Sequence, residues 1–292
     1  MRRRTRFALR ACGTCLGGFA LALAGAAFAA VADGGSAAAP VNASMPGGTA
    51  PASGPGIRPP GYLAPDAIDI LAILPPPPEK GDARYAAERE IFRETRKLQG
   101  TARWAMAVQD AAGSPSDLLR DFSCAVGVEL TPDNAPKLLH VAQKATRDTG
   151  RAAGVAKEHF GKKRPFQIDA GVTCVPPESV GRSSDYPSGH SVLGWTWALV
   201  LAEADPDRAS AILARGRAFG DSRVVCGMHH PSAVDAGRLT ASAVMARVAA
   251  SAEYRADIEA ARAELAELRR KGPPPDAQRC AQEAALVPMH VP

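Results

Sequence analysis

Apolar residues along this chain recur at helical spacing far more often than in the alternating pattern of a strand. Residues 190–203 are apolar at nearly every position, which predicts a helix that is buried on all sides. The other segments mix apolar and charged residues, as is typical of helices with one buried face. We predict helices over residues 82–111, 136–160, 190–203, 206–228, 232–250 and 252–271.

Local signals at the ends of these helices support the assignment. Ser232 and Asp235 have the spacing of a capping box at the start of one helix. The three prolines at 273–275 end the last helix, because proline cannot continue the backbone hydrogen bonds. Residues 171–188 form the one long loop. The predicted fold class is therefore all-α, a packed helical bundle in a single domain.

The first residues differ from the rest because a basic start precedes a short apolar run. Five arginines stand before position 11, and the apolar run covers residues 16–28. With Ala27-Phe28-Ala29 as a cleavage site, the pattern predicts a signal peptide over residues 1–29. An uncleaved anchor is the alternative, although the run is short for a membrane span. We therefore expect a periplasmic or secreted protein.

Composition divides the remainder into three parts. Residues 30–61 are rich in Ala, Gly, Ser and Pro, and such a segment buries too little surface to order itself. We expect it to be a flexible linker. Residues 62–272 carry the predicted helices and form the domain, and residues 273–292 are a C-terminal tail.

The net charge of +5 comes from the predicted signal peptide, whose five arginines face no acidic residue there. The processed chain is neutral, so its composition gives no support for nucleic-acid binding. No later segment is long and apolar enough to cross a membrane, and we expect no stable membrane insertion of the processed chain. The partners we expect are small molecules, and a homo-oligomer is compatible with the sequence.

Four cysteines lie beyond the predicted signal peptide: Cys124, Cys174, Cys226 and Cys280. In an exported chain an even number permits two disulfides, with three connectivities. We favour Cys124–Cys280, because this bond would tie down the tail. The alternative is that some remain buried thiols, and Cys226, in an apolar helical run, is the best candidate.

Three long cations at close spacing suggest a site for a phosphate group. Lys157 and Arg164 are seven residues apart, so two helical turns would place them on one face, with Pro165 ending that helix. Arg223 stands near the end of a later helix. Arginine supplies paired donors and lysine a point charge, which suits the non-bridging oxygens of a phosphoryl group.

Pro187-Ser188-Gly189-His190 stands at the start of the buried helix. Ser188 fits the N-cap, so the first-turn N–H groups would form an anion site, and Gly189 lets the backbone approach a phosphate. Each block alone has an ordinary structural explanation, such as a surface cation or a simple cap. Their order and spacing favour a phosphate site, and His190 and His229 add two imidazoles that titrate near neutrality.

In this order the blocks read K-x6-R-P, P-S-G-H and S-R-x5-H, and they resemble the three-part signature of the type 2 phosphatidic acid phosphatase superfamily. Within it the chain is similar to the class A bacterial non-specific acid phosphatases over roughly residues 65–270, including the proline run at 75–78. The resemblance implies an all-α domain of that kind. It also implies periplasmic hydrolysis of phosphate monoesters of broad range, without a metal or other cofactor.

By position, the resemblance implies that His229 is the nucleophile that forms a phosphohistidine. His190 would be the general acid that protonates the leaving alcohol. The remaining signature residues would bind the phosphate: Lys157, Arg164, Ser188, Gly189 and Arg223. The chemistry agrees, because one imidazole must be neutral to attack and the other protonated to donate.

The signature ends in an aspartate four residues after the nucleophile, where this chain has Ala233. That aspartate would fix the tautomer of the histidine, as in a Ser-His-Asp triad. Asp235 is a poor substitute, because it lies further along the helix and fits a capping role. The Ser232 hydroxyl, a backbone carbonyl or a water are other candidates. His230 is the alternative nucleophile, although the spacing from Arg223 favours the residue before it.

Other functions stay open at this point. A vanadium-dependent haloperoxidase of the same superfamily would use the same residues for vanadate, but the chain length and the class A features argue against it. Ala233 alone favours a weakly active or non-catalytic phosphate-binding relative. A lipid phosphatase would have several membrane spans, and the processed chain has no apolar segment of the required length. No pair of His or Cys residues has the spacing of a zinc site, so we expect no metal.

Overall fold

The computed structural model describes residues 60–289 and residue 291. The regular elements in this part of the chain are helices and short 3-10 turns, without a strand, which confirms the all-α prediction. The helices are α1 (Ala83–Thr95), α2 (Ala102–Gln109), α3 (Pro115–Val126), α4 (Pro136–Phe160), α5 (Gly189–Ala204), α6 (Ala209–Val225), α7 (Pro231–Val248), α8 (Ala252–Lys271) and α9 (Ala277–Leu286).

Helix α5 lies at the centre of the bundle and packs against α4, α6, α7 and α8. Its prediction as a buried helix is confirmed, since Trp197 and most of its other residues are buried. Glycines allow two neighbours to come close. A Cβ on Gly216 of α6 would lie 2.4 Å from the Cβ of Ala198, and one on Gly237 of α7 would lie 2.8 Å from the carbonyl oxygen of Ser188. Helix α7 thus reaches the first turn of α5.

The helix predicted over residues 82–111 is interrupted between α1 and α2. Gly100 adopts a φ of +80°, a left-handed conformation that glycine tolerates and that breaks a helix. Thr101 then caps α2, because its hydroxyl accepts from the N–H of Trp104 at 3.3 Å. The prediction was wrong here because the helical composition continues across the break.

The start of α7 also differs from the prediction. His230 is its N-cap and Ser232 lies inside the first turn. A carboxylate oxygen of Glu88, from α1, accepts from the Ser232 N–H at 2.7 Å. Asp235 is exposed and forms ion pairs with arginines of α1 and α7. The capping box predicted for Ser232 and Asp235 is therefore wrong, because a carboxylate from another helix serves this turn.

Two disulfides join distant parts of the described chain. Cys124 of α3 is bonded to Cys280 of α9 with their Cα atoms 5.3 Å apart, which confirms the pairing favoured from the sequence. Cys174 is bonded to Cys226, so the alternative of a buried thiol at Cys226 is wrong. Cys226 directly follows α6, and its carbonyl accepts from the N–H of Cys174 at 3.1 Å. The long loop before α5 is thereby attached to the end of α6.

The helices at 115–126 and 277–286 were not predicted. The second, α9, lies in the stretch expected to be a tail, and it packs against α2 and α3. Its Glu283 accepts a hydrogen bond from Arg215 Nε of α6 at 3.1 Å. The C-terminal stretch is thus part of the packed bundle.

The predicted signal peptide and nearly all of the predicted linker lie outside the described residues. Within residues 60–289 and residue 291, none of the helices combines the length and the apolar character needed to cross a membrane.

Candidate active site

The signature residues meet in one small cavity beside the first turn of α5. Its volume is about 160 Å³. Pockets that enclose a drug-sized ligand measure roughly 300–1,000 Å³, so this cavity is sized for a phosphate group rather than a whole organic ester. Val180 and Ser183 form part of its lining. The rest of the lining consists of six predicted site residues: Lys157, Arg164, Gly189, His190, Arg223 and His229.

The ends of α4 and α6 bring the cations and His229 together. Lys157 lies in the last turn of α4, which ends because Gly161 takes a left-handed φ of +57°. Arg164 therefore stands in the loop beyond α4, and the prediction that it shares a helix face with Lys157 is wrong. Arg223 lies in the last turn of α6, and its carbonyl accepts from the His229 N–H at 3.3 Å as the chain turns back.

Lys157, Arg164 and Arg223 form a cation cluster, in which backbone carbonyls hold Lys157 and Arg164 and the sulfur of Cys226 lies 3.9 Å from Arg223 Nη1. Lys157 Nζ donates to the carbonyl of Ser184, and Arg164 Nε donates to that of Ser183 at 2.7 Å. None of the three cations forms an ion pair with a carboxylate of the residues that the structure describes. The described part of the chain thus gives these three cations no direct carboxylate partner, although the charge of Asp185 acts on Lys157 and Arg164.

Burial lowers the pKa of every cation in the cluster. It is the largest cause for Lys157, whose pKa falls to about 8, and for Arg223, whose pKa falls to about 10, and Arg164 adds repulsion in both cases. Arg223 is only 2% exposed, and its Nε has no hydrogen-bond partner among the described residues. Because an unpartnered buried charge is costly, the cluster is suited to an anion that accepts these hydrogen bonds.

Ser188 is buried and is not among the residues that line the cavity. The N-cap prediction is confirmed, because its hydroxyl accepts from the N–H of Ser191 at 3.3 Å. Its own N–H donates to the carbonyl of Ala233 at 2.8 Å. The Ser188 hydroxyl is therefore engaged in capping α5, whereas Gly189 reaches the cavity.

His229 is fixed at both ring nitrogens. Nδ1 lies 2.9 Å from Asp185 Oδ1 and, because a carboxylate only accepts, Nδ1 carries the proton. Nε2 lies 3.1 Å from Arg164 Nη1, which only donates, so Nε2 carries the lone pair. Burial lowers the pKa of His229 well below its ordinary value, more than the hydrogen bond to Asp185 raises it. The ring is thus neutral, and its Nε2 lone pair faces the cation cluster, where it accepts from Arg164.

Asp185 was not among the predicted site residues. It is fully buried in the loop before α5, and its Oδ2 lies 2.7 Å from Nδ1 of His230. Oδ1 also accepts from the backbone N–H of His230 at 3.3 Å. Burial raises the pKa of Asp185, but the hydrogen bonds from His229 and His230 outweigh it and hold this pKa below its ordinary value. The carboxylate is therefore ionised.

Neither Asp235 nor the Ser232 hydroxyl contacts His229. Asp235 forms ion pairs with Arg84 and Arg238, and the Ser232 hydroxyl accepts from Lys162 Nζ at 3.2 Å. Although Ala233 has no carboxylate, Asp185 supplies one to His229. The alanine therefore no longer favours a non-catalytic relative.

His230, the alternative nucleophile, is buried but does not line the cavity. Its Nδ1 proton points to Asp185, as does that of His229.

The one sequence signal for Asp185 is an acidic residue three positions before Ser188. No local spacing rule links it to histidines more than 40 positions away.

His190 is the second imidazole of the cavity. Its Nε2 lies 3.0 Å from the carbonyl oxygen of Ala111, so Nε2 carries a proton and Nδ1 is the nitrogen left for catalysis. Burial, followed by repulsion from Arg223, lowers the pKa of His190 to about 3. A phosphate in the cavity would offset the cations and raise this pKa.

The described residues offer an anion site rather than a metal site at this place. Within residues 60–289 and residue 291, no three His, Cys, Asp or Glu side chains are grouped as metal ligands. The charged groups in the cavity lining are those of the cation cluster.

Comparison with known proteins agrees with this chemistry. Residues 146–257, which contain every signature residue named above, match the PAP2 superfamily. The chain is 40% identical to an acid phosphatase of Zymomonas mobilis over 214 residues, which cover 73% of this chain and 81% of that protein. It is 36% identical to a non-specific acid phosphatase of Providencia stuartii, with 70% and 84% covered. The corresponding enzyme of Salmonella typhimurium is 34% identical, with 68% and 81% covered.

Proposed function

The chain belongs to the class A acid phosphatases of the PAP2 superfamily, and we propose that it hydrolyses phosphate monoesters through a phosphohistidine formed on His229. One observation carries the proposal: a neutral imidazole presents its Nε2 lone pair beside the cation cluster. Cations that bind phosphate oxygens, next to a nucleophile in reach of phosphorus, are what phosphoryl transfer requires.

The first step moves the phosphoryl group to the enzyme. The cation cluster binds the non-bridging oxygens, and His229 Nε2 forms a bond to phosphorus while the bond from phosphorus to the ester oxygen breaks. His190 gives the proton on Nδ1 to the departing oxygen, so an alcohol leaves instead of an alkoxide. Its other nitrogen stays bonded to the carbonyl of Ala111, which keeps the ring in place.

The second step regenerates the enzyme. His190, now neutral, takes a proton from a water molecule whose oxygen attacks phosphorus. The bond between phosphorus and Nε2 breaks, its electron pair returns to His229, and inorganic phosphate leaves. The Nδ1 proton of His229 stays on the ring throughout, in its hydrogen bond to Asp185.

Acid conditions favour the first step, because His190 must be protonated when the ester bond breaks. Burial and the nearby cations hold its pKa at about 3 before substrate binds, and the bound phosphate raises it. A larger share of His190 is therefore protonated as the pH falls.

The size of the cavity supports a broad range of esters. At about 160 Å³ it encloses little beyond the phosphate group, so the alcohol part extends outside it. We also propose a periplasmic or secreted location, which the basic and apolar start of the chain and its two disulfides support.

The test is to trap the intermediate. The full protein is mixed with a ³²P-labelled monoester and quenched in alkali, in which phosphohistidine survives, or in acid, in which it is lost. We expect alkali-stable, acid-labile label on wild type, and none on His229→Ala. His140→Ala is the matched control, because this histidine is exposed and lies outside the cavity.

Two results would contradict the proposal. Label that persists in His229→Ala and disappears in His230→Asn would move the nucleophile to His230. Bromide oxidation with added vanadate, in a protein that does not hydrolyse p-nitrophenyl phosphate, would instead support the haloperoxidase alternative.

A further inference from the structure

We propose that Asp185 positions His229 for attack, in the role that the family signature gives to an aspartate at the place of Ala233. This inference rests on the proposed function, because it concerns the nucleophile of that reaction. Asp185 precedes His229 by 44 positions and belongs to the loop that leads into α5. The orienting carboxylate of this chain thus comes from a different element than α7, where the signature would put it.

The loop before α5 packs directly against α7, so it can supply the carboxylate that α7 lacks at Ala233. The Ser188 N–H donates to the carbonyl of Ala233 at 2.8 Å, and Asp185 stands only three residues before Ser188. The N–H of Asp185 donates to the carbonyl of Lys162 at 2.8 Å, which fixes the backbone that carries the carboxylate. The loop therefore delivers an anchored carboxylate to the ring of His229.

His230 completes the arrangement from the other side. It donates to Oδ2 of Asp185 through Nδ1 and to Oδ1 through its backbone N–H, while His229 donates to Oδ1. Both carboxylate oxygens are thus occupied, and three hydrogen bonds hold the carboxylate in its orientation. His230 holds Asp185, and Asp185 holds His229 with its lone pair on Nε2.

Asp185 also accepts the N–H of the residue that caps α7, so a purely structural role must be separated from positioning. The variant for this is Asp185→Asn, which has the same shape. Its amide oxygen can accept from one ring while its NH2 group donates to the other. In either orientation His229 loses the negative charge that stabilises the ring when it carries the phosphoryl group, and where the NH2 group faces His229, Nε2 also loses its lone pair.

For Asp185→Asn we expect kcat for p-nitrophenyl phosphate to fall by about 10²–10⁴, as it does when the orienting aspartate of a serine protease triad becomes asparagine. The inhibition constant of inorganic phosphate should change by less than about threefold, because the cation cluster is untouched. A folded variant with wild-type kcat would overturn the proposal. Equal losses in kcat and in phosphate binding would also overturn it, since they indicate general damage.

His230 supplies a conservative pair of variants. His230→Asn keeps an N–H donor at the position of Nδ1, whereas His230→Ala removes it. We expect His230→Asn to retain a kcat at least about tenfold above that of His230→Ala, with equal phosphate inhibition in both. Equal kcat in the two variants would show that His230 does not act on His229 through Asp185.

Two further measurements do not depend on a variant at Asp185. Ala233→Asp should bring no gain in turnover, because His229 already has a carboxylate, and a tenfold gain would overturn the proposal. In ¹⁵N-histidine NMR of wild type, His229 should carry its proton on Nδ1. A proton on Nε2 would overturn the proposal whether or not the variants fold.

Failure of this inference is distinct from failure of the proposed function. If wild type forms no phosphohistidine, the reaction scheme is wrong, but the tautomer seen by NMR still reports on Asp185. If wild type forms it and Asp185→Asn forms it equally fast, the scheme stands and the positioning role fails alone.

Discussion

Two arginines of α6, Arg215 and Arg223, are both almost wholly buried and lie about two helical turns apart, yet they have opposite surroundings. Arg215 pairs with Asp110 through Nη2 at 2.5 Å and with Glu283 through Nε at 3.1 Å. Although burial lowers its pKa, these carboxylates raise it above its ordinary value.

Arg223 has no carboxylate partner among the described residues, and its pKa falls to about 10 because of burial and Arg164. Residue type, helix and burial are the same for Arg215 and Arg223. The two carboxylates around Arg215 mark it as a structural group, whereas Arg223, which lacks such a partner among the described residues, is suited to the phosphate-binding role proposed for it.

The largest effect that would test this contrast is on stability at Arg215. Arg215→Met leaves Asp110 as a buried carboxylate without its cation, and breaking such a pair costs about 3–5 kcal/mol. We expect the free energy of unfolding, measured with denaturant, to fall by that amount, while kcat of the folded fraction stays near the wild-type value. Adding Asp110→Asn should restore part of the stability, and no recovery would contradict the assigned ion pair.

The next effect is on activity at Arg223. Arg223→Met removes donors for the phosphate oxygens, and loss of such a group costs about 10²–10³ in rate. We expect kcat/KM to fall by that factor, with the free energy of unfolding unchanged or higher, because an unpartnered buried charge is lost. Arg223→Lys keeps the charge without the paired donors, so its kcat/KM should lie between those of wild type and Arg223→Met. If Arg223→Met lowered the free energy of unfolding as much as Arg215→Met does, the assigned difference between the two arginines would be contradicted.

The smallest effect concerns the pH dependence of Lys157. Burial and Arg164 lower its pKa to about 8 in the free protein, so the ammonium is present below that pH and is lost above it. We expect phosphate inhibition to weaken by up to about tenfold per pH unit above 8, since a free-enzyme group is titrating. Lys157→Arg should remove this step, because a guanidinium remains charged there. A step that persists in Lys157→Arg would assign it to another group.

The sequence predicted those parts of the fold that depend on local pattern. Residues 136–160 form α4 with the predicted bounds, because Pro136 starts the helix and a left-handed glycine follows its end. The buried helix at 190–203 is also confirmed as α5, since its apolar character marks burial directly. The break at Gly100 was missed, because the helical composition runs through it.

The candidate site was predictable where the signature residues are, and six of the seven predicted residues line the cavity. Asp185 was not predictable, because its contact with His229 spans 44 positions and depends on how a loop packs against α7. The pairing of Cys226 with Cys174 was left open by the sequence for a similar reason. It requires Cys226 to stand just beyond the end of α6, and apolar composition does not fix that helix end.

The bond between Cys124 and Cys280 spans 156 residues, and Cys280 stands near the end of the chain. Cys124 can therefore form this bond only after a further 156 residues have been made. Until α9 arrives, Arg215 lacks the carboxylate of Glu283. The buried cation Arg215 is therefore fully paired only when α9, which supplies Glu283 from 68 residues further along the chain, has packed against α2 and α3.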